Sequence, residues 1–198
     1  MSAVPDEDFS GLAGPRVVIR RFGPADAHAL AGYRSDPQVA RYQGWDAPFP
    51  LADAERLISQ LTRRQPDTPG QWFQFAVALG PAGPLLGDVG VLTRGDDPRQ
   101  CEIGFTLAAA RQHRGYATEA VRLVAGYLFT ARGKHRITAS CDARNTASAA
   151  LLERLGMRRE GHLRASTWAK GEWTDDLLYG LLSAEWARSP GLRQPPLG

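Results

Sequence analysis

Residues 100–118 constrain this chain more than any other stretch. Cys101, Ile103, Phe105 and Leu107 alternate with Glu102, Gly104 and Thr106, the period-two pattern of a strand with one buried face. Further on, Ala117, Val121, Val124, Leu128 and Ala131 recur at steps of four and three, the pattern of an amphipathic helix starting near Thr118. The connection, residues 111–117, is short, basic and holds one glycine, Gly115. A strand that feeds a tight turn and then a helix aims several backbone N–H groups at one point. The positive end of the helix dipole and the arginines add to the potential there. Gly115 has no Cβ, so a ligand can come close to the main chain. This pattern predicts a phosphate cradle. A plain loop fits the same residues, with Gly115 ending it and Arg111 and Arg114 solvated.

The rest of the composition narrows the class. A chain of 198 residues, 43% hydrophobic and 23% charged, can bury one sizeable core and reads as one soluble globular domain. No apolar run approaches the ~20 residues that span a bilayer. The first eight residues are acidic and lack an apolar centre, so they do not read as a secretory leader, and a cytoplasmic protein without a membrane partner is expected. Cys101 and Cys141 are too few for a disulfide framework or a cysteine-based zinc site. His28, His113, His135 and His162 show no paired metal-ligand spacing, and no metal is expected. The net charge is only +3, and the arginines are mixed with 21 acidic residues along the whole chain. No basic stripe with interleaved aromatics marks a nucleic-acid surface.

Residues 1–15 have no period and read as a flexible arm, and residues 189–198, with three prolines, as a disordered tail. The domain expected between them spans 16–188. A first strand lies at 17–22, a helix at 24–34 with Pro24 in its first turn, and a shorter helix or turn at 36–42. Tyr42, Trp45 and Phe49 then sit in a Gly/Pro-rich loop. Large aromatics on a loop either plug a core or wall a binding site. Residues 51–64 form an amphipathic helix, with Leu51, Ala54, Leu57, Ile58 and Leu61 on one face. Strands at 72–79, 85–93 and 101–107 follow in series as an antiparallel meander. A helix over 118–132 and a strand over 136–142 complete a strand–helix–strand unit, which implies that 101–107 and 136–141 run parallel. Asn145 caps another helix, closed by Gly156. Strands at 157–167 and 176–182, joined by a turn around Lys170–Glu172, end the fold. The expected class is α/β, a mixed, mostly antiparallel sheet with helices on both faces.

Four stretches carry a resemblance. Gln112-His113-Arg114-Gly115-Tyr116-Ala117 resembles the Gln/Arg-x-x-Gly-x-Gly/Ala signature of the GNAT superfamily of acyl-CoA-dependent N-acetyltransferases. Glu102-Ile103-Gly104-Phe105 is similar to the preceding strand of its ribosomal-protein-acetyltransferase-like branch. Asn145-Thr146-Ala147-Ser148 and Leu155-Gly156-Met157 resemble that branch's Asn-x-x-Ser and Leu-Gly-Phe signatures, in the same order. The resemblance covers residues 16–188. It implies a twisted sheet whose central parallel strands splay, with the acyl-pantetheine arm of acetyl-CoA entering between them. It also implies an amine acceptor, either a small molecule or a protein N-terminus, and is compatible with a homodimer.

On this resemblance each part of the donor has a candidate partner. The N–H groups of Gln112, His113, Arg114, Gly115, Tyr116, Ala117 and Thr118 would take the pyrophosphate. The strand edge at Phe105, Thr106 and Leu107 would pair with the pantetheine amides and offer an N–H to the thioester oxygen. Asn145 would contact pantetheine, and Arg154 the nucleotide phosphate. An ammonium has no lone pair, so a base must take a proton before attack. Glu102 is the candidate, although an edge glutamate paired to an arginine fits as well. Many relatives place a tyrosine acid seven residues after the capping asparagine. Here that position is Leu152, and Ser148 is the branch's replacement acid, equally at home as a local cap. The loop at 42–50 lies beside the family's acceptor groove, so Tyr42 and Trp45 are candidate substrate contacts. Trp168, near Glu172, Trp173, Asp175 and Asp176, is a third, where a dimer contact fits equally. Two rival readings remain: a catalytically silent acyl-CoA-binding module, and transfer from succinyl-CoA with arginines meeting the distal carboxylate.

Overall fold

Phe73, Phe75, Val89 and Val91 are buried on neighbouring strands, and the face they share is where the longest helix lies. In the computed structural model, which describes residues 9–188, the strands are β1 (Leu12–Ala13), β2 (Val17–Arg20), β3 (Trp72–Leu79), β4 (Leu85–Thr93), β5 (Gln100–Leu107), β6 (Arg136–Asp142), β7 (Arg158–Ala169) and β8 (Glu172–Leu182). They form one sheet in the order β1-β2-β3-β4-β5-β6-β8-β7. Every neighbouring pair is antiparallel except β5 and β6. The helices are α1 (Ala27–Arg34), α2 (Pro37–Ala40), α3 (Leu51–Thr62), α4 (Tyr116–Thr130), α5 (Thr146–Arg154) and α6 (Ser183–Arg188).

Successive strand residues point to opposite faces, which sorts the helices. Val121, Val124 and Leu128 of α4 are buried on the Phe75–Val89 face, where the Phe75 ring meets Tyr127 of the same helix at 6.2 Å between centroids. α5 shares this face: the Tyr179 hydroxyl donates to Glu153 Oε1 at 3.2 Å. Asp88, next to Val89, points the other way and accepts from Tyr33 of α1. Asp88 is also 3.5 Å from Arg34. Burial drives the Asp88 carboxyl up from its ordinary range against the pull of Arg34. Burial, with the Asp88 charge beside it, lifts the Tyr33 phenol well above its usual value.

The ladder between β5 and β6 holds only three pairs, Gln100↔Arg136, Cys101↔Ile137 and Glu102↔Thr138. β6 keeps its pairing with β8 as far as Asp142, so it is β5 and β6 that part. From Ile103 to Leu107 the β6-facing edge of β5 is left open. This is the splayed, mixed α/β architecture expected, and the boundaries of β3, β4 and β6 fall where the alternation put them.

Three differences have physical causes. α4 begins at Tyr116, not Thr118, because Gly115 takes a left-handed conformation (φ 80°) and starts the helix directly after it. Part of the expected arm is built into the core: Leu12–Ala13 pairs with β2, and the Phe9 ring packs at 4.8 Å from Phe75 and 5.4 Å from Tyr127. Residues 1–8 and the expected tail at 189–198 lie outside the described residues. α6, which periodicity did not single out, is held by Trp186, buried at 5.6 Å from the Phe129 ring. No helix among the described residues is long and apolar enough to cross a membrane.

Candidate active site

The open edge of β5 forms one wall of a cleft of about 290 Å³. Phe105, Thr106 and Leu107 line it from β5. Gln112, His113, Gly115, Tyr116, Ala117 and Thr118 line it from the turn and the first residues of α4, and Asn145, Ala147, Ser148, Leu151 and Arg154 from α5. Gln38, Val39, Tyr42 and Gln43 close it from α2 and the loop after it.

The turn is shaped for an anion. Gln112 donates its side-chain amide to the Leu107 carbonyl at 3.0 Å, tying the turn to the end of β5. His113 and Gly115 both take left-handed conformations, φ 58° and 80°. Among the described residues no backbone carbonyl accepts from the N–H groups of His113 to Thr118; the first helical bond is from Glu119 N–H to Gly115 at 3.1 Å. Four of the donors, those of Gly115, Tyr116, Ala117 and Thr118, belong to the cap and opening turn of a 15-residue helix and so add its dipole to their own charge. The second helix start, α5, is capped by Asn145, whose Oδ1 accepts from Ser148 N–H at 3.2 Å. The Ser148 hydroxyl makes no hydrogen bond among the described residues and lies at the cleft.

Glu102 is the last β5 residue paired with β6, at the vertex from which the two strands diverge. It does not line the cleft itself. Its Oε1 accepts from Ser140 Oγ at 3.2 Å, and among the described residues no lysine or arginine forms an ion pair with it. The alternative of an arginine-paired edge glutamate is therefore not what the fold builds. From Leu107 back to Glu102 the strand rises by roughly 17 Å, five steps of about 3.3 Å, and this is the run along which an extended ligand would lie.

Three expected site residues are placed elsewhere. Arg114 is exposed and does not line the cleft; its carbonyl accepts from Arg16 at 2.9 Å. Trp45 is a plug: its indole N–H donates to the Arg34 carbonyl at 3.1 Å, and the buried Arg34 guanidinium lies 4.2 Å from its ring and 5.2 Å from that of Phe49. A buried cation takes up the aromatic faces that an acceptor would need. Trp168 stands on the β7–β8 hairpin, 60% exposed, with its ring 5.4 Å from Trp173. That hairpin reaches the Trp45 loop, since Lys170 Nζ donates to the Trp45 carbonyl at 2.6 Å and to Asp46 at 2.8 Å. Reasoning from sequence missed Gln38, Val39, Gln43, Ala147 and Leu151 as cleft walls. The Asp36-Pro37 start of α2 was legible, with Asp36 accepting from Gln38 N–H at 2.8 Å, but nothing local says which surface so short a helix faces.

Neither cysteine is poised to act as a nucleophile. Burial pushes the Cys101 thiol up to about 12 and the Cys141 thiol up to about 11, so both are protonated at neutral pH. Leu152 is 1% exposed in the core and has no part in the cleft wall. No group of three or more His, Cys, Asp or Glu among the described residues could hold a metal ion.

Comparison with known proteins bears on this geometry. Residues 16–158 match the family model of the acetyltransferase (GNAT) domain. The uncharacterised N-acetyltransferase p20 of Bacillus licheniformis is 30% identical over 172 residues, covering 87% of this chain and 96% of its own. Among solved structures, a GNAT-family acetyltransferase from Bacillus anthracis superposes with a TM-score of 0.79 at 28% identity, over 88% of this chain and 99% of the other. Mycobacterium smegmatis RimJ, solved in complex with CoA-disulfide, superposes with a TM-score of 0.77 at 28% identity, over 89% of each chain.

Proposed function

The chain belongs to the GNAT acetyltransferase family, as an N-acetyltransferase of its RimJ-like branch, and we propose that it moves an acetyl group from acetyl-CoA to a primary amine by direct attack in this cleft. One observation carries the reading: the open edge of β5 leads from the N–H groups of His113–Thr118, which meet no backbone carbonyl among the described residues, to the vertex at Glu102. In this reading the pyrophosphate sits on the turn, where Gly115 leaves room for it. Arg154, at the cleft wall, meets a nucleotide phosphate. The pantetheine amides pair with the edge at Phe105–Leu107 and with Asn145, as an added strand would. The thioester then lies near the vertex.

There the amine must arrive as its cation and lose a proton before it can attack. Glu102 takes that proton, directly or through a water. The amine nitrogen adds to the thioester carbon, and a β5 N–H stabilises the oxyanion. The C–S bond breaks as the carbonyl reforms, the nitrogen gives its remaining extra proton to solvent so that a neutral amide is left, and the CoA thiolate takes a proton from solvent, directly or by way of the Ser148 hydroxyl, which solvent then reprotonates. Protonated cysteines support this single displacement over an acyl-enzyme. The acceptor approaches past Tyr42, on the side where the hairpin carrying Trp168 meets the Trp45–Asp46 loop.

A panel of amines, including small amines and peptide N-termini, assayed with acetyl-CoA and succinyl-CoA by release of free thiol, tests the proposal. The expected result is amine-dependent thiol release with acetyl-CoA. Donor binding with no turnover on any amine would favour the silent acyl-CoA-binding module instead, and faster release from succinyl-CoA would reassign the donor.

A further inference from the structure

We infer that Arg16, on the segment just before β2, is a positioning residue for the pyrophosphate of the donor. The inference rests on the acetyl-CoA reading above and adds a residue outside the cleft to it. α4 carries a carboxylate, Glu119, in its first turn, at the positive end that the donor's phosphates would also seek. Left bare, that charge would repel a bound diphosphate and compete with it for the dipole.

Arg16 removes the conflict by pairing with Glu119. Its Nε donates to Glu119 Oε2 at 2.8 Å, while the backbone N–H groups of Arg16 and Val17 donate to Glu119 Oε1 at 2.7 and 3.0 Å. Burial pushes the Glu119 carboxyl up, but these donors and the guanidinium outweigh it and hold the group below the usual range, so it stays ionised and paired. The guanidinium also lies 5.0 Å from the Tyr116 ring. Finally, Arg16 Nη1 donates to the Arg114 carbonyl at 2.9 Å. In a trans peptide the C=O and the following N–H point in opposite directions. Fixing the Arg114 carbonyl toward Arg16 therefore turns the Gly115 N–H away from it, and Gly115 is a wall of the cleft. The seat is tight: a Cβ on Gly115 would lie 3.2 Å from Arg16 Nη2, and one on Gly14 would lie 2.8 Å from Glu119 Oε1.

Arg16 thus acts on the donor in two ways, by neutralising Glu119 and by aiming an N–H. The test is calorimetric titration of acetyl-CoA into the wild type, Arg16→Ala, Arg16→Lys and the double variant Arg16→Ala with Glu119→Gln. Each is also melted without ligand. The wild type is expected to bind. Arg16→Ala should bind at least about tenfold more weakly, the scale on which a favourably placed helix-terminus charge acts. Its KM for acetyl-CoA should rise while kcat changes little. Arg16→Lys should fall between the two. The double variant should bind more tightly than Arg16→Ala without regaining its melting temperature, which a purely structural role would not produce. Wild-type affinity in Arg16→Ala, or a double variant no better than the single one, overturns the inference and leaves the acetyl-CoA reading standing. A wild type that does not bind acetyl-CoA removes both.

Discussion

Glu102 and Thr138 form the last cross-strand pair before β5 and β6 separate. One step further along β5 the edge is open, so the carboxylate stands where the ladder ends and the ligand groove begins. Its hydrogen-bond partner is the Ser140 hydroxyl at 3.2 Å, and the proposed reading makes this carboxylate the base.

Replacing it tests this role. Glu102→Gln keeps shape and can still accept from Ser140 through its amide oxygen, but it cannot take a proton. Near neutral pH kcat should fall by about 10²–10⁴, the usual contribution of a positioned base, with acetyl-CoA affinity little changed because in the proposed reading Glu102 does not contact the donor. In the wild type the rate should rise with pH as base and amine lose protons. In the variant only the amine's own titration should remain, so high pH should partly rescue it. An equal loss at every pH, with weaker donor binding, would mark Glu102 as a structural strut.

The strand–turn–helix unit was legible because each of its parts is local. Alternation over Cys101–Leu107 needs no tertiary context, and neither does a glycine between a basic turn and an apolar-periodic helix. The parallel pairing followed from the length of the crossover. What was not legible depends on contacts far apart in sequence. The sequence leaves Trp45 either a plug or a pocket wall, and what decides is Arg34, eleven residues earlier, which takes its ring and its N–H. Nothing local in the sequence ties Arg16 to Glu119, 103 residues away, and only the fold brings the two together. The seven residues before Arg16 lacked any period, yet Phe9 packs on Phe75. A single ring on the core leaves no periodic trace in sequence.

Leu152 offers a second check. It stands where many relatives place a tyrosine acid, but it is 1% exposed and packed in the core. Leu152→Ala should lower stability by ~2–5 kcal/mol through the cavity it leaves, seen as a fall in denaturation midpoint. Acetyl-CoA affinity in the folded fraction should be little changed. A variant of wild-type stability with no activity would place Leu152 at the acyl group instead.

The measurement that bears most directly on the central claim is the melting temperature with and without acetyl-CoA, for the wild type and for Gly115→Val. A ligand that binds only the folded chain stabilises it by mass action, so the wild-type midpoint should climb with donor concentration. Gly115 sits at φ 80°, where a β-branched residue is strained by about 1–2 kcal/mol, and its Cβ would lie 3.2 Å from Arg16 Nη2, so the turn that aims the N–H groups would be displaced. The variant should therefore melt somewhat lower, remain folded at 25 °C, and show no donor-dependent rise. A wild type whose midpoint does not move at saturating acetyl-CoA, or a folded Gly115→Val protein that responds as the wild type does, would contradict the account.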